Sequence, residues 1–382
     1  MQKIHERLKS ERESLNLTLK EVAAKMGFQN YQTLGSIESG KRELKAFELL
    51  KLAQIYGRSV DYFMKPELRE QSKLRVVWRN QVQDEETVFN ERKFIALCQN
   101  YQRLIELNYE EAPVFALEFS GMKKSDFLRR GFPYVQEIAQ LLADALNLGS
   151  RPACSLPLVL EEGLGFKIIY MDLGFGGSAA STFSDDFGSA MLINASDAPW
   201  RRNFDLAHEL FHLLTWNLFS EELYSQASNQ KSPVEKWADA FASGILLPEK
   251  AIRSEVERRF EENHISYISL VEIAREFRVS IDALLWRLVN LKMLPSRHVE
   301  KALRKGEIKD IDKKERFTDW EDGKPHLSPR YVALAIKAFT MGKISKAKLA
   351  EYVDQPFSNI PSFLRRHGYD ENEDYSREFA TS

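Results

Sequence analysis

The segment LAHELFHLLTW, residues 206–216, carries two histidines four residues apart, with a glutamate directly after the first. Residues i and i+4 share one face of an α-helix, so His208 and His212 can present both imidazoles to one metal ion. Glu209 lies beside them, where it can take a proton from a water that the metal activates. The neighbouring side chains, among them Phe211, are apolar, and burying histidines there without polar partners would cost free energy. Together with the spacing of the histidines, this predicts a metal-binding helix.

A catalytic zinc site usually has three protein ligands and one open position. The segment SPVEKWADAFASGILLP, residues 232–248, offers Glu235 and Asp239, four residues apart on a predicted helix. Glu235 would complete the metal sphere, and Asp239 would accept a hydrogen bond from the outer nitrogen of His208 and so fix its tautomer. Two alternatives stay open. Glu235 can instead cap its own helix in a Ser-Pro-x-Glu box, and His264 can be the third ligand.

The N-terminal region differs from the rest in charge and pattern. Residues 1–65 hold 12 Lys and Arg against 8 Asp and Glu, whereas the whole chain of 382 residues has a formal charge of −2. Thr18 and Glu21 form a capping box at the start of a helix that ends at Gly27. A second short helix over residues 31–39 ends at Gly40, and an amphipathic helix follows. Two short helices joined by a tight turn within a five-helix unit predict a helix-turn-helix.

The remaining segments are assigned more coarsely. From residue 66 to about 108 the chain is polar and is predicted to be mostly helical. Residues 133–149 read as an amphipathic helix, residues 165–177 as a strand and a glycine-rich turn, and residues 178–196 as two strands around an Asp-Asp-Phe-Gly turn. Short helices near the C-terminus favour a packing or dimerisation module over a second DNA reader, and an acidic tail predicted to be disordered ends the chain.

Composition points to an intracellular protein. No run of 18 apolar residues exists, so no membrane span is expected, and the N-terminus lacks the apolar core of a signal peptide. The two cysteines, Cys98 and Cys154, match no disulfide or metal spacing and are expected as thiols in a reducing cytoplasm.

The N-terminal pattern resembles the XRE family of phage-repressor-like DNA-binding domains over residues 3–65. The similar elements are TLKEVAAKMG (18–27), TLGSIESGKR (33–42) and LLKLAQIYGRSVDYFM (49–64). The resemblance implies that the second helix enters a major groove of operator DNA. Residues expected at base edges are Tyr31, Gln32, Thr33 and Ser36, and those expected at phosphates are Thr18, Lys20, Lys41 and Arg42. The alternative is a helical bundle that mediates only protein contacts.

The histidine segment resembles the ImmA/IrrE family of metallopeptidases over residues 130–295. The similar motifs are LAHELFHLL (206–214), EKWADAFASGILLP (235–248) and IAREFRVSIDALLWRLVNLKML (273–294). The resemblance implies a small zincin-like fold with His208, His212 and Glu235 as metal ligands and Glu209 as general base. It also implies Zn²⁺, with Mn²⁺ as another possible metal, and hydrolysis of a repressor or antitoxin protein in stress, phage or mobile-element circuits.

Together these observations predict a mainly helical α+β chain in four parts. They are a five-helix DNA-binding domain (1–68), a helical linker region (69–129), a zincin-like metallopeptidase domain with a small sheet (130–295) and a helical C-terminal region (296–382). The alternative function is a regulator or antitoxin that does not cleave and whose peptidase-like domain senses a ligand or partner. A homodimer is compatible with either.

The sequence leaves the transition-state-stabilising residue open but suggests how a substrate would bind. Tyr224, Arg253 and His264 are all available to stabilise the transition state, and the sequence does not choose among them. A protein substrate is expected to add as an extended strand to an edge of the small sheet, near residues 178–194.

Overall fold

The computed structural model describes the chain except for a few segments. The described residues are 3–15, 17–58, 60–64, 76–78, 85–110, 121–174, 177–219, 232–260, 264–316 and 325–369. Helices dominate, and one four-stranded sheet lies at the centre of the C-terminal two thirds, so the predicted mainly helical α+β architecture is confirmed. No described helix is long and apolar enough to cross a membrane. The acidic tail and Tyr224 lie outside the described residues.

Five helices form the N-terminal unit: α1 (Ile4–Ser14), α2 (Leu19–Met26), α3 (Tyr31–Glu38), α4 (Ala46–Tyr56) and α5 (Val60–Met64). The predicted capping box is present. The Thr18 hydroxyl accepts a hydrogen bond from the backbone N–H of Glu21, and the Glu21 carboxylate accepts one from the backbone N–H of Thr18. Gly27 ends α2 in the left-handed conformation, with φ of 78°. Leu34 and Ile37 of α3 point into the small apolar core of this unit, as their spacing predicts.

The region after α5 is mostly helical where it is described, as expected, but it also contains a strand that the sequence did not predict. A short strand, β1 (Val76–Trp78), precedes a long helix, α6 (Glu85–Leu107). Two β-branched residues and a tryptophan in succession favour an extended backbone, and an available sheet edge satisfies the hydrogen-bonding groups of the strand.

The middle of the chain combines helices with the rest of the sheet. Its elements are α7 (Lys124–Arg130), α8 (Phe132–Ala145), α9 (Pro152–Leu158) with the π-helical turn Val159–Gly163, β2 (Lys167–Met171), β3 (Ala179–Ser184), β4 (Gly188–Asn194), α10 (Pro199–Leu214), α11 (Pro233–Leu246), α12 (Glu249–Arg258), α13 (Tyr267–Glu276) and α14 (Ile281–Asn290). The predicted pair of strands around the Asp-Asp-Phe-Gly turn is the antiparallel hairpin β3–β4.

The sheet has the order β1-β3-β4-β2, with β2 parallel to β4 and the other two pairs antiparallel. One face packs against α10, and this side shares a large core with α8, α11 and the helices that follow. That core extends into α15 (Ser296–Lys305) and α16 (Glu307–Glu315) through Val299 and Ile308. The boundaries predicted at residues 129 and 295 stay predictions.

The opposite face of the sheet is covered by a second core. It joins α6 to the C-terminal helices α17 (Pro329–Thr340), α18 (Lys346–Tyr352) and α19 (Ile360–Arg366). Ile169, Ala180 and Leu192 supply the sheet side of this core. The C-terminal helices therefore act as a packing layer on the sheet.

The register of β1 bears on the expected docking of a substrate strand. Val77 lies opposite Ser181, so β1 pairs with the edge of β3 that faces away from β4. The hairpin that was expected to offer an open edge near residues 178–194 is therefore flanked on both sides within the described structure. A segment of the same chain already occupies the position at which a substrate strand was expected.

Candidate metal centre

Two packed helices position the candidate ligands. Pro199 stands in the first turn of α10, and α10 packs along α11 through the rings of Phe211 and Phe241, whose centroids lie 5.6 Å apart. On its other side α11 contacts α8 so closely that a Cβ added to Gly244 would lie 2.9 Å from the Cβ of Ala139. This close approach requires glycine and fixes α11, which carries Glu235, against its neighbours.

The structure brings His208, His212 and Glu235 together. The Nε2 atoms of the two histidines lie 3.0 Å apart. Glu235 Oε2 is 3.3 Å from His208 Nε2, and Glu235 Oε1 is 3.2 Å from His212 Nε2. Within the described ranges these three residues form the one group of three or more His, Cys, Asp or Glu side chains close enough to hold a metal ion.

These separations match a tetrahedral metal site. Ligand atoms bound about 2.0–2.1 Å from zinc at tetrahedral angles lie roughly 3.3 Å apart, and all three observed separations are close to that value. Asp239 Oδ1 lies 3.1 Å from His208 Nδ1, and an ionised carboxylate only accepts hydrogen bonds, so His208 donates from Nδ1. Its Nε2 lone pair then faces the other two ligands, as metal coordination requires.

Glu235 also takes part in the start of α11. The Ser232 hydroxyl accepts from the backbone N–H of Glu235 at 3.2 Å, which is half of a capping box. The carboxylate of Glu235 turns instead to the histidines. Burial opposes its ionisation, but the contacts with His208 and His212 outweigh burial and hold the pKa of Glu235 well below its usual range. The side chain is therefore an anion ready to bind a cation.

Glu209 lies on α10 directly after His208, and neither residue has exposed surface. Of the other residues considered, His264 is exposed and is not part of the three-residue group. Arg253 donates to Glu249 and to the carbonyl of Leu291, so its guanidinium takes part in local structure. The residue that stabilises the transition state stays unassigned.

The contact between Asp239 and His208 gives a first prediction. Replacing Asp239 with Asn keeps the size of the side chain but removes the charge that fixes the His208 tautomer. Loss of such an outer partner typically weakens metal affinity by about 10–100-fold. Competition titration with a chromophoric chelator should show this loss, whereas Glu249→Gln, which removes a carboxylate outside the three-residue group, should leave affinity unchanged. Equal affinities for Asp239→Asn and wild type would contradict this role of Asp239.

The predicted base-contacting residues lie on or near the exposed side of α3. Tyr31 is half exposed, Gln32 is exposed, and Thr33 and Ser36 are partly exposed. Asn30, which the sequence analysis did not single out, caps α3 by accepting from the backbone of Gln32, and its side-chain amide donates to the Gln32 side chain at 3.2 Å. An Asn before an apolar-periodic stretch was the available signal for this cap.

The predicted phosphate contacts fall into two groups. Lys20 and Lys41 are exposed. Arg42 instead donates to both carboxylate oxygens of the buried Glu48, at 3.1 and 2.8 Å. Thr18 is exposed, but its hydroxyl takes part in the capping box. The two lysines are therefore the better placed candidates for phosphate contacts, while Arg42 holds the segment after α3 against α4.

A buried ion pair fixes the orientation of α3. Arg12 of α1 donates to both carboxylate oxygens of Glu38 at 2.8 and 2.9 Å, and a third bond runs from Arg12 to the carbonyl of Leu17. Such a bidentate pair is geometrically specific, so it holds α3 in one position relative to α1. The sequence gives no signal for this pair, because the two residues are 26 positions apart and belong to no local pattern.

Two family comparisons agree with this arrangement. The family pattern described as a helix-turn-helix matches residues 8–63, which span α1 to α5. The pattern described as the IrrE N-terminal-like domain of peptidase family M78 matches residues 161–289, which contain the sheet from β2 to β4 and the candidate metal centre. No curated protein matches the chain. The chain thus joins an XRE-type helix-turn-helix domain to an IrrE/ImmA-like domain of the M78 metallopeptidases.

Proposed function

We propose that the chain is a DNA-bound regulator that acts as a zinc-dependent endopeptidase on a second regulatory protein. The expected substrate is a repressor or antitoxin, and its cleavage would release transcription in a stress, phage or mobile-element response. The observation that carries the proposal is the near-tetrahedral spacing of His208, His212 and Glu235 next to Glu209. Mn²⁺ is the alternative metal, because its oxygen and imidazole ligands overlap with those of zinc.

Each residue of the site has a separate task in hydrolysis. His208, His212 and Glu235 would hold a divalent metal, which would supply Lewis acidity toward a water and a peptide carbonyl. Glu209 takes the proton from the attacking water and passes it to the leaving amine, so that one water is consumed for each peptide bond broken. Asp239 holds His208 in the tautomer that leaves Nε2 available.

The first test combines metal content with cleavage. The full chain, purified without chelators, should contain one divalent metal ion per chain by elemental analysis. In that form it should cut the protein encoded by the neighbouring gene at one or few peptide bonds, detected by intact-mass spectrometry. Protein without metal and without a cleavage product would overturn the peptidase proposal.

The N-terminal domain gives an independent prediction about DNA. Gln32→Ala should reduce the preference for the operator by about 1–3 kcal/mol, because glutamine can pair bidentately with adenine. Lys41→Ala should weaken binding to every sequence and reduce the slope of log affinity against log salt by about 1, because one phosphate contact is lost. Fluorescence anisotropy at several salt concentrations measures both effects.

Glu21→Gln is the control for the salt slope, because it weakens the capping box without removing a cation. It should lower helix stability and leave the salt slope unchanged. Full-length protein with no salt-dependent DNA affinity would show that the helix-turn-helix has a purely structural role.

A further inference from the structure

We propose that the outer edge of β3 is the docking surface for an extended polypeptide, and that residues 76–78 of the same chain are its resident occupant. The proposal rests on the proposed function for the identity of the displacing partner, a protein substrate. Within the described structure, β3 is flanked by β4 on one side and by β1 on the other. A substrate strand can therefore pair with β3 only after β1 leaves.

Strand β3 contacts the helix that carries part of the candidate metal centre. Helix α10 packs against β3 and β4, and it carries His208 and Glu209. Ala179 of β3 shares a core with Ala207 and Leu210, the residues that immediately flank these two on α10. A strand added to this edge thus pairs with β3, which itself packs against the helix that holds the reacting groups.

Within the described residues, the resident strand pairs with only part of the edge. β1 has three residues, whereas β3 has six, and the pairing extends from Ala180 to Thr182. Strands in globular proteins usually have 5–6 residues, so the three described residues of β1 contribute few ladder hydrogen bonds. A longer substrate strand can form more of them along β3, and this difference favours exchange.

The centre of the paired edge is also incompletely satisfied. Ser181, directly opposite Val77, is fully buried, and its hydroxyl has no hydrogen-bond partner in the described structure. A buried hydroxyl without a partner carries a free-energy cost. Valine carries no polar side-chain atom, so a substrate with a polar residue at this position gains a hydrogen bond that β1 cannot make.

The location of β1 in the chain connects docking to the DNA-binding unit. Val76 follows Met64, the last residue of α5, by 12 positions. On its other side, Trp78 precedes Glu85, the first residue of α6, by 7 positions, and α6 shares a core with the sheet. An occupant tethered so closely to the sheet competes at an effective concentration in the millimolar range, which suppresses weak binding of unrelated chains. The occupant belongs to the covalent connection between the DNA-binding domain and the peptidase domain.

The test removes pairing by β1 and measures docking separately from hydrolysis. The variant Val77→Pro/Trp78→Pro loses two backbone N–H groups. One of them lies on the side of β1 that pairs with β3, because successive N–H groups point to opposite edges of a strand. Val77→Thr/Trp78→Phe is the matched control, since it keeps both donors and a high strand propensity. Both variants are made in the full-length chain, and circular dichroism checks their folding.

Docking is read with a fluorescein-labelled peptide of sequence KLRVVWRN, residues 73–80. The proline variant should bind this peptide, while wild type and control bind it at least about tenfold more weakly. Without peptide, the amides of residues 179–184 should exchange hydrogen faster in the proline variant than in wild type. Equal peptide binding by all three proteins would overturn the docking proposal. A second variant, Val76→Gly/Val77→Ser/Trp78→Gly, keeps the N–H groups but lowers strand propensity and should behave like the proline variant.

Hydrolysis is read with fluorescence-quenched casein and zinc-loaded protein. The proline variant should cleave it about tenfold faster than wild type, because the tethered competitor is gone. Peptide binding without any casein cleavage in either protein would count against the proposed peptidase activity while the docking edge stands. Slower cleavage by the proline variant would overturn the docking proposal, since β1 would then assist substrate binding.

Discussion

Replacing Glu209 with Gln is expected to abolish cleavage of the substrate protein while leaving the metal in place. The change keeps the size and polarity of the side chain and removes only its basicity. Positioned general bases typically contribute about 10²–10⁴-fold to rate, so cleavage should fall by at least that range. Metal content and DNA affinity should equal those of wild type, because Glu209 is not one of the three candidate ligands.

The same variant separates the enzyme from a regulator that only senses a partner. Transcription of the target genes is measured in cells that carry wild type or Glu209→Gln at equal protein levels. Loss of induction with intact DNA binding supports proteolysis as the mechanism. Normal induction by Glu209→Gln would show that the peptidase-like domain works without cleavage, and the sensing alternative would replace our proposal.

Replacing Glu235 with Gln is expected to produce the largest loss of metal affinity among the carboxylate variants. The amide is a poor ligand and lacks the negative charge that faces the two histidine Nε2 atoms at 3.2 and 3.3 Å. The loss should exceed the 10–100-fold expected for the outer partner Asp239. The backbone bond from Glu235 to Ser232 remains, so the start of α11 should stay intact.

His264→Ala is the control for this measurement. His264 was the other candidate for the third ligand, and its exposed position outside the three-residue group predicts unchanged affinity. Calorimetric titration of metal-free protein with Zn²⁺ compares the two variants directly. Retained affinity in Glu235→Gln with loss in His264→Ala would reverse the assignment.

Local patterns made much of the fold predictable. The capping box of Thr18 and Glu21 and the left-handed Gly27 depend on residue types at the two ends of one short helix, so they can be read from the local sequence. The same holds for His208 and His212, because an α-helix places residues four apart on one face. The β3–β4 hairpin was visible in the glycine and aspartates of its turn.

Contacts between distant segments were harder to predict. Glu235 follows His212 by 23 positions, and the sequence favoured it over His264 only because Asp239 then also has a role. The packing of α11 on α10 brings Glu235 to the histidines. The pairing of Val77 with Ser181 spans 104 positions, and a three-residue strand gives a weak periodic signal. The sequence suggested that Arg42 contacts a phosphate. Its ion pair with Glu48 was not apparent, because Glu48 lies on the next helix.

The sheet with a core on each face has a consequence for dividing the protein into parts. The match to the peptidase family ends at residue 289, and a cut near there looks natural from the sequence. It would remove α17 to α19 and uncover Ile169, Ala180 and Leu192, which line the second core. A contiguous apolar patch of that kind promotes association, so a peptidase fragment without its C-terminal helices should aggregate even when its metal centre is intact.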